Sequence, residues 1–503
     1  MNIIQQPLYR MVATDEEIIF VVEDNAVVVG NFRVKFIAEV YVSSYTGNPF
    51  SSHPSASKVA TLKVVPNNEG VGIFDLSRIL EAYVSPDYLG GETIIASSIQ
   101  YYSEANGIGF DTLPHSIHQI DKHSTNRNAC RLVGVKFSAE YATSQTGTLI
   151  NTGVLTTSEL YYIHNAVRQE DDILGYETQR GFFGYSYDYN DFVLLDTNGK
   201  FLTNAPTTQY IGENDYCTIG YFAQSDNQIG QNSLLGAAIG TNTSTLQLVY
   251  SIKIKFYTSA GVQTGSTITY NSNTANGSLT WQTINPVAQL QYTGVGTANI
   301  QAAGGTIPAD WAYYTVVAYD NTSSPATQEI SKEYKFYKQE VCKGFEKFRL
   351  TWLNRLGVWD YFNFTKKNVR KVNSKRETYQ QIKGSWNERK YKKYGYKGGQ
   401  KVFATNSKEV ITLQTDFITE EAAQWLEELF TSPDVFVLQE RTTDDSRSVA
   451  SPLSSSVYQV QNKYVQPCVV MTSSYTRKTT ANDKLKQYTI EIEMSHNKRI
   501  QKA

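Results

Sequence analysis

Apolar and aromatic side chains recur at every second position along this chain, and that rhythm commits it to sheet before anything else is known. The clearest case is FRLTWLNRLGVWDYFNFT, residues 348–365, where Phe348, Leu350 and Trp352 alternate with Arg349, Thr351 and Leu353. Asn354 to Gly357 supply turn chemistry, and Trp359, Tyr361 and Phe364 resume the aromatic run. The stretch reads as a hairpin with a heavy aromatic face. Aromatic rings bury large areas and suit a pleated surface, so the hairpin is expected to floor a core rather than to offer a ligand platform.

The same period marks Phe32 to Val40, Ala60 to Val64, Leu246 to Phe256, Tyr313 to Tyr319 and Tyr488 to Met494 as strands, with Tyr334–Tyr337, Val435–Leu438 and Val465–Met471 beside them. Ile18–Val22 and Val27–Val29, parted by Glu23, Asp24 and Asn25, read as a hairpin, and Asp191–Leu195 as a short strand. Ser259-Ala260-Gly261 and Asn276-Gly277 are turn signals. Helix signals are rare. Residues 75–83 suit a short helix, and Thr419 can cap a second whose first turn holds Glu420 and Glu421. Ala422, Trp425, Leu426, Leu429 and Phe430 give that helix an apolar stripe, and Ser432-Pro433 ends it. Composition agrees with strands joined by turns: 35 tyrosines and only 19% charged residues.

A chain of 503 residues exceeds what one core serves. The fold class expected is mainly β and multi-domain, with antiparallel β-sandwich modules and a C-terminal α+β domain containing one clear helix. The boundaries expected are 1–140 for an N-terminal sandwich, 141–235 for a turn-rich β insertion, 236–341 for a second, fibronectin-like sandwich and 342–503 for the α+β assembly domain.

Charge is distributed unevenly. Residues 1–340 carry 18 Lys and Arg against 31 Asp and Glu, a net of −13, whereas 341–503 carry 28 against 17, a net of +11. Within the basic part, residues 366–401 hold thirteen Lys and Arg and two Glu, interleaved with Tyr379, Trp386, Tyr391, Tyr394 and Tyr396. Basic residues among aromatics can grip a nucleic-acid strand by phosphate pairing and base stacking. No RNP, KH or helix-turn-helix pattern accompanies them, and stacking of copies, acidic part against basic part, explains the asymmetry as well. Nucleic acid is the less favoured of the two.

Metal and catalytic readings have little to build on. His115, His118, His123 and Cys130 are the clustered soft ligands, but their spacing matches no standard zinc site and Pro114 interrupts a helix through them. Polar loop histidines are the expected reading, with no cofactor. Asp188 and Asp191, or Glu170-Asp171-Asp172, lack the order of a calcium loop and read as solvated turns. The rings of Phe182, Phe183, Tyr185, Tyr187 and Tyr189 suit a core or interface, or stacking on sugars. Cys130, Cys217, Cys342 and Cys468 show no CxxC spacing and are expected as buried thiols. The first twenty residues lack a signal-peptide pattern, and no run reaches the ~18 apolar residues of a membrane span. G-x-S-x-G, P-loop and HExxH motifs are absent, so an enzyme is not expected.

Three C-terminal stretches carry a resemblance: CKGFEKFRLTWLNRLGVWDYFNFT, WLEELFTSPDVFVL and SYTRKTTANDKLKQYTIEIE. With VKFIAEVYV, LKVVPNNEGVGIFDLSRILEAYV and FLTNAPTTQYIGENDYCTIGYF, they resemble uncharacterised virion structural proteins of tailed bacteriophages. The resemblance covers most of the chain and is weakest in the middle module. It implies a component of the virion tail, made in the bacterial cytoplasm: a hub, distal-tail or baseplate protein forming a ring and anchoring fibres. The partners implied are further copies of the chain and other tail proteins, with host-surface glycans as the alternative for the middle module. On that view Trp352, Trp359, Tyr361, Arg389, Lys390, Lys392, Lys393, Tyr394 and Tyr396 are the interface candidates.

Overall fold

A computed structural model of the chain describes residues 1–7, 11–43, 56–89, 116–120, 123–126, 128–159, 161–169, 190–192, 194, 196–222, 224–225, 247–271, 290–320, 328–339, 345–438, 465–472, 474 and 486–497. His115, the ring cluster at 182–189 with Asp188, Glu170-Asp171-Asp172, Leu246, Asn276-Gly277, Cys342 and the basic tail from Lys498 lie outside these residues. The protein is mainly β, built from several antiparallel sheets. Its described residues form two compact units. The first holds Met1–Gln339 together with Leu353–Asp360, and the second Glu340–Trp352, Tyr361–Gln439 and Tyr458–Ala503.

In the first unit, β1 (Asn2–Gln5), β3 (Ile19–Glu23) and β6 (Val71–Asp75) form a three-stranded sheet in the order β1-β3-β6. It faces a seven-stranded sheet whose path is β2 (Met11–Ala13), β11 (Tyr161–His164), β8 (Cys130–Ala142), β4 (Phe32–Ser43) and β5 (Ala56–Val64), with β9 (Ile150–Asn151) and β10 (Thr156–Thr157) also on β8. Alternation explains the pairing: Phe36, Ala38 and Val40 of β4 and Val133, Val135 and Phe137 of β8 turn inward to meet Phe20, Val22 and Phe74. Phe137 lies 5.8 Å from both Phe20 and Phe74, ring centre to ring centre. Val27–Val29 is not the expected second strand of a hairpin. Asp24 accepts a hydrogen bond from the Val27 backbone N–H at 3.2 Å, and this cap turns Asn25–Val28 into a helical turn, α1, that buries Val27. The short helix expected at 75–83 forms as α2 (Ser77–Glu81).

His164 sits at the end of β11, fully buried and edge-on to Phe222 at 5.6 Å, with its Nδ1 3.2 Å from the Val12 carbonyl oxygen. Burial, reinforced by Arg168, pushes its pKa down to about 3. The unfolded chain takes up this proton near pH 6.5 and the folded chain does not. Stability present above 6.5 is therefore lost as pH falls towards 3, by up to ~1.4 kcal/mol per pH unit. Urea midpoints measured from pH 7 to pH 5 should fall more steeply for the natural chain than for His164→Leu; equal slopes would refute this.

The rest of the first unit contains a five-stranded sheet in the order β12-β20-β19-β16-β17. Its strands are β12 (Thr208–Ile211), β16 (Ser251–Tyr257), β17 (Gln263–Asn271), β19 (Tyr313–Tyr319) and β20 (Tyr334–Lys338), and β12 runs parallel to β20. A three-stranded sheet joins β13 (Thr218–Phe222), β18 (Leu290–Gly294) and β7 (His123–Thr125), drawing on strands distant in sequence, and β18 leads into a short helix, α3 (Thr297–Ala302). The short pair β14 (Gln224–Ser225) and β15 (Gln247–Leu248) precedes β16, so the alternation expected from Leu246 to Phe256 breaks at Val249 and Tyr250. Asp191 lies in a 3-10 turn, Asn190–Phe192, where a strand was expected.

Leu353–Asp360, the turn of the aromatic hairpin, is core rather than surface in this unit: Leu356 and Val358 are buried. Asn354 donates from its side chain to the Leu202 carbonyl at 2.9 Å and accepts from the Leu356 and Val358 backbones. Trp359 donates to the Asp87 carbonyl at 2.9 Å, and Asp360 accepts from Thr203 at 2.7 Å.

The second unit is one seven-stranded sheet in the order β22-β21-β25-β26-β27-β24-β23. The strands are β21 (Phe348–Leu353), β22 (Trp359–Phe364), β23 (Val369–Gln381), β24 (Gly399–Gln414), β25 (Val435–Leu438), β26 (Val465–Val470) and β27 (Thr489–Met494). All six residues of β21 are buried, so both of its faces are covered, not one as simple alternation suggests. The expected helix forms where Thr419 caps it, but as two short pieces, α4 (Glu420–Leu426) and α5 (Glu428–Thr431). Its buried positions are Ala423, Trp425, Leu426 and Leu429, with Ala423 in place of the expected Ala422; Trp425 packs on Trp352 at 5.1 Å.

Candidate interaction arm

β23 and β24 outrun the sheet that carries them. Pairing with β27 covers only Val410–Gln414 of β24, whereas β23 and β24 pair from Val369 and Thr412 out to Gln381 and Gly399. Beyond Lys408 the two strands continue as a ribbon, nine residues of β23 long, or roughly 30 Å. Every residue of β23 up to Gln380 is exposed.

A bare two-stranded ribbon is marginal in water, so its local bonds matter. Ser374 and Ser407 meet hydroxyl to hydroxyl at 2.7 Å, and Gln400 donates to Thr378 at 3.0 Å. At the tip, the Ser385 N–H donates to the Lys392 carbonyl at 2.9 Å and the Lys392 N–H to the Ser385 hydroxyl at 3.1 Å. Trp386 donates to the Lys383 carbonyl at 3.0 Å while its ring stands edge-on to Tyr391 at 5.7 Å. Tyr394 donates to Glu388 at 3.0 Å, which raises its phenol pKa, and lies 5.6 Å from Tyr396. The tip is thus a defined shape.

Its chemistry is basic and apolar at once. Asn373–Lys408 carries ten Lys and Arg and two Glu, and one of those, Glu388, is paired with Lys392. Trp386 is 74% exposed and Tyr396 69%, with Ile382, Tyr391, Tyr379 and Phe403 also exposed. Exposed large apolar residues grouped on one projection mark a surface made to be covered. Arg389, Lys390, Lys392, Lys393, Tyr394 and Tyr396, the basic and tyrosine candidates from the sequence, are all brought together here.

Trp352, Trp359 and Tyr361 are not. They are 0%, 2% and 6% exposed, and the Arg349 guanidinium lies 5.2 Å from the Tyr361 ring. As interface candidates they are corrected to core residues, because their apolar surface is already covered by their own chain. Sequence reasoning also passed over Ile382 and Phe403, which are exposed because no third strand among the described residues runs along the ribbon.

The metal candidates disperse into packing roles. His118 is buried edge-on to Trp359 at 4.9 Å, and His123 is buried with Nδ1 2.6 Å from the Thr293 hydroxyl and Nε2 3.1 Å from the Tyr270 carbonyl oxygen. Neither is the polar loop residue expected. Cys130, Cys217 and Cys468 are buried and in no disulfide, and burial pushes the Cys130 and Cys468 pKa values up to about 12. Among the described residues no three His, Cys, Asp or Glu side chains group as metal ligands, and no helix is long and apolar enough to cross a membrane.

No model of a known protein family matches the chain, and no curated protein matches it.

Proposed function

We propose that this chain is a self-associating structural component of a tailed-bacteriophage particle, a hub, distal-tail or baseplate protein that closes into a ring and anchors fibres. The observation that carries the reading is the arm: a basic, aromatic ribbon running past its sheet, with no strand among the described residues laid along it. The partner that fits is a neighbouring copy. The chain is acidic over residues 1–340 and basic over 341–503, so an arm with eight net positive charges meets an excess of carboxylates on the next subunit. Desolvated Trp and Tyr side chains supply affinity, and the charges supply orientation and on-rate. The virion resemblance of the C-terminal stretches supports the same assignment.

Electron microscopy and mass photometry of the full chain at micromolar concentration should show a closed oligomer. A monomer at those concentrations that is also absent from purified particles would overturn the proposal. The cations and exposed rings of the arm favour one rival, nucleic-acid binding. That rival predicts DNA retention falling steeply with salt, one logarithmic unit per unit for each phosphate neutralised, to within about 10%.

A further inference from the structure

We infer that the outer face of the five-stranded sheet in the first unit is a binding site for a neutral, linear glycan, built on a row of four tyrosines. Tyr210 of β12 is in register with Tyr337 of β20, Tyr337 with Tyr313 of β19, and Tyr313 with Tyr257 of β16. Tyr257 and Tyr313 lie 5.0 Å apart with planes 8° from parallel, Tyr313 and Tyr337 5.0 Å apart at 30°, and Tyr210 and Tyr337 6.2 Å apart at 41°. One strand spacing therefore separates each phenol from the next, and the row crosses three strand intervals, or about 14 Å.

The fold does not need this row for its core. The adjoining positions of the same strands, Phe256, Tyr314 and Phe336, form a second aromatic row on the opposite face, buried and in contact at 5.3 and 5.1 Å. Two residues along the outer face, the register places Thr208, Lys335, Thr315 and Lys255 together; Thr208 is exposed, the two lysines are half-buried and Thr315 is buried. Tyr257, Tyr313 and Tyr337 are half-buried, and Tyr210, on the edge strand, is 61% exposed. Rigid rings with polar tips offer amphipathic contact at low entropic cost, and a pyranose has the matching form, C–H faces bordered by hydroxyls.

Charge and size select the ligand class. Two of the cations near the row are already compensated: Lys335 pairs with Glu333 at 3.2 Å, and Lys338 pairs with Glu213 at 2.5 Å while standing 5.4 Å from the Trp311 ring; the third, Lys255, reaches the Tyr319 hydroxyl at 3.4 Å. A polyanion gains little there, unlike on the arm. A stable protein interface needs about 800 Å² from each side, whereas three half-buried tyrosines and one exposed one supply less than roughly 400 Å² in a strip one residue wide. A chain of three or so sugars fits that strip.

This site stands on observations independent of the arm. The full chain would be titrated calorimetrically with cellohexaose, xylohexaose, mannohexaose and maltohexaose, alongside Tyr210→Ala, which empties an exposed edge position, and Tyr337→Phe, which removes only a hydroxyl. Binding of at least one hexasaccharide is expected, about tenfold weaker in Tyr210→Ala and several-fold weaker in Tyr337→Phe. Circular dichroism and oligomeric state should be unchanged in both, which separates this result from the fate of the assembly reading. No binding at millimolar sugar, binding equal in Tyr210→Ala, or retention only of acidic polysaccharides that salt releases would each overturn the inference.

Discussion

Cutting the arm back to its base will leave a folded chain that no longer associates. In that variant an Asn-Gly turn replaces residues 375–406, so that Ser374 and Ser407, already opposite each other in the ribbon, close a short hairpin. Val369–Val372 keep their pairing with Glu409–Thr412, and β24 keeps β27, so the sheet loses none of its buried residues. Thermal unfolding should shift by only a few degrees, because the removed part of β23 is exposed and the buried Ser385 of the tip is held by Lys392, which leaves with it. Association should weaken by roughly a hundredfold or more, since exposed Trp, Tyr and Arg side chains contribute about 2 kcal/mol or more each where they become central contacts. A milder variant, with Lys390, Lys392 and Lys393 all changed to Glu, should associate about tenfold more weakly and more slowly, the signature of lost steering charge. Sedimentation velocity on the three chains decides: an armless chain that assembles like the natural one ends the proposal.

The second large effect is expected from a single methyl group. Gly357 has φ +82°, in the left-handed region, and a Cβ built on it would stand 1.7 Å from the Asn165 carbonyl oxygen. A side chain in that backbone conformation costs about 1–2 kcal/mol on its own. The clash adds more, because the obstacle is backbone and the turn around it is tied down: Val167 donates its N–H to the Arg355 carbonyl at 2.7 Å, and Asn354 and Trp359 hold either side. Gly357→Ala should therefore destabilise the first unit by on the order of 3–5 kcal/mol and leave little folded protein at 37 °C. Gly261→Ala is the control. Its φ is +78°, but its nearest neighbour, the Tyr313 hydroxyl, is 3.9 Å away, so only the conformational cost of about 1–2 kcal/mol applies. Equal denaturant midpoints for the two variants would show that the close approach of Gly357 carries no weight.

Several features of both units are legible residue by residue. The alternation of Phe36, Ala38 and Val40 places β4, Thr419 with Glu420 and Glu421 places the start of α4, and Ile490 and Ile492 place β27, because each signal is local. The errors are local conflicts resolved by a neighbour. Val27 reads as strand by its side chain, but the Asp24 carboxylate caps the following turn and the helix wins. Of the proposed interface, the lysine-rich tip is readable as an unusual run of charge, whereas Trp352, Trp359 and Tyr361 look equally suited to a partner until their own chain is seen to cover them.

Taken alone, the order of residues determined that this molecule is made of sheets, where strands such as β4, β19, β25 and β27 lie, and that its positive charge collects after residue 340. Side-chain periodicity and charge are properties of neighbours along the chain, so they survive without coordinates. Tertiary structure alone decided which strands lie side by side, and hence that Tyr210, Tyr257, Tyr313 and Tyr337 form one row while Phe256, Tyr314 and Phe336 form another behind it. It also decided that β23 and β24 run on past β27. Register is set by hydrogen bonds and packing between segments far apart in sequence, and a shift of one residue would exchange the two faces of every strand.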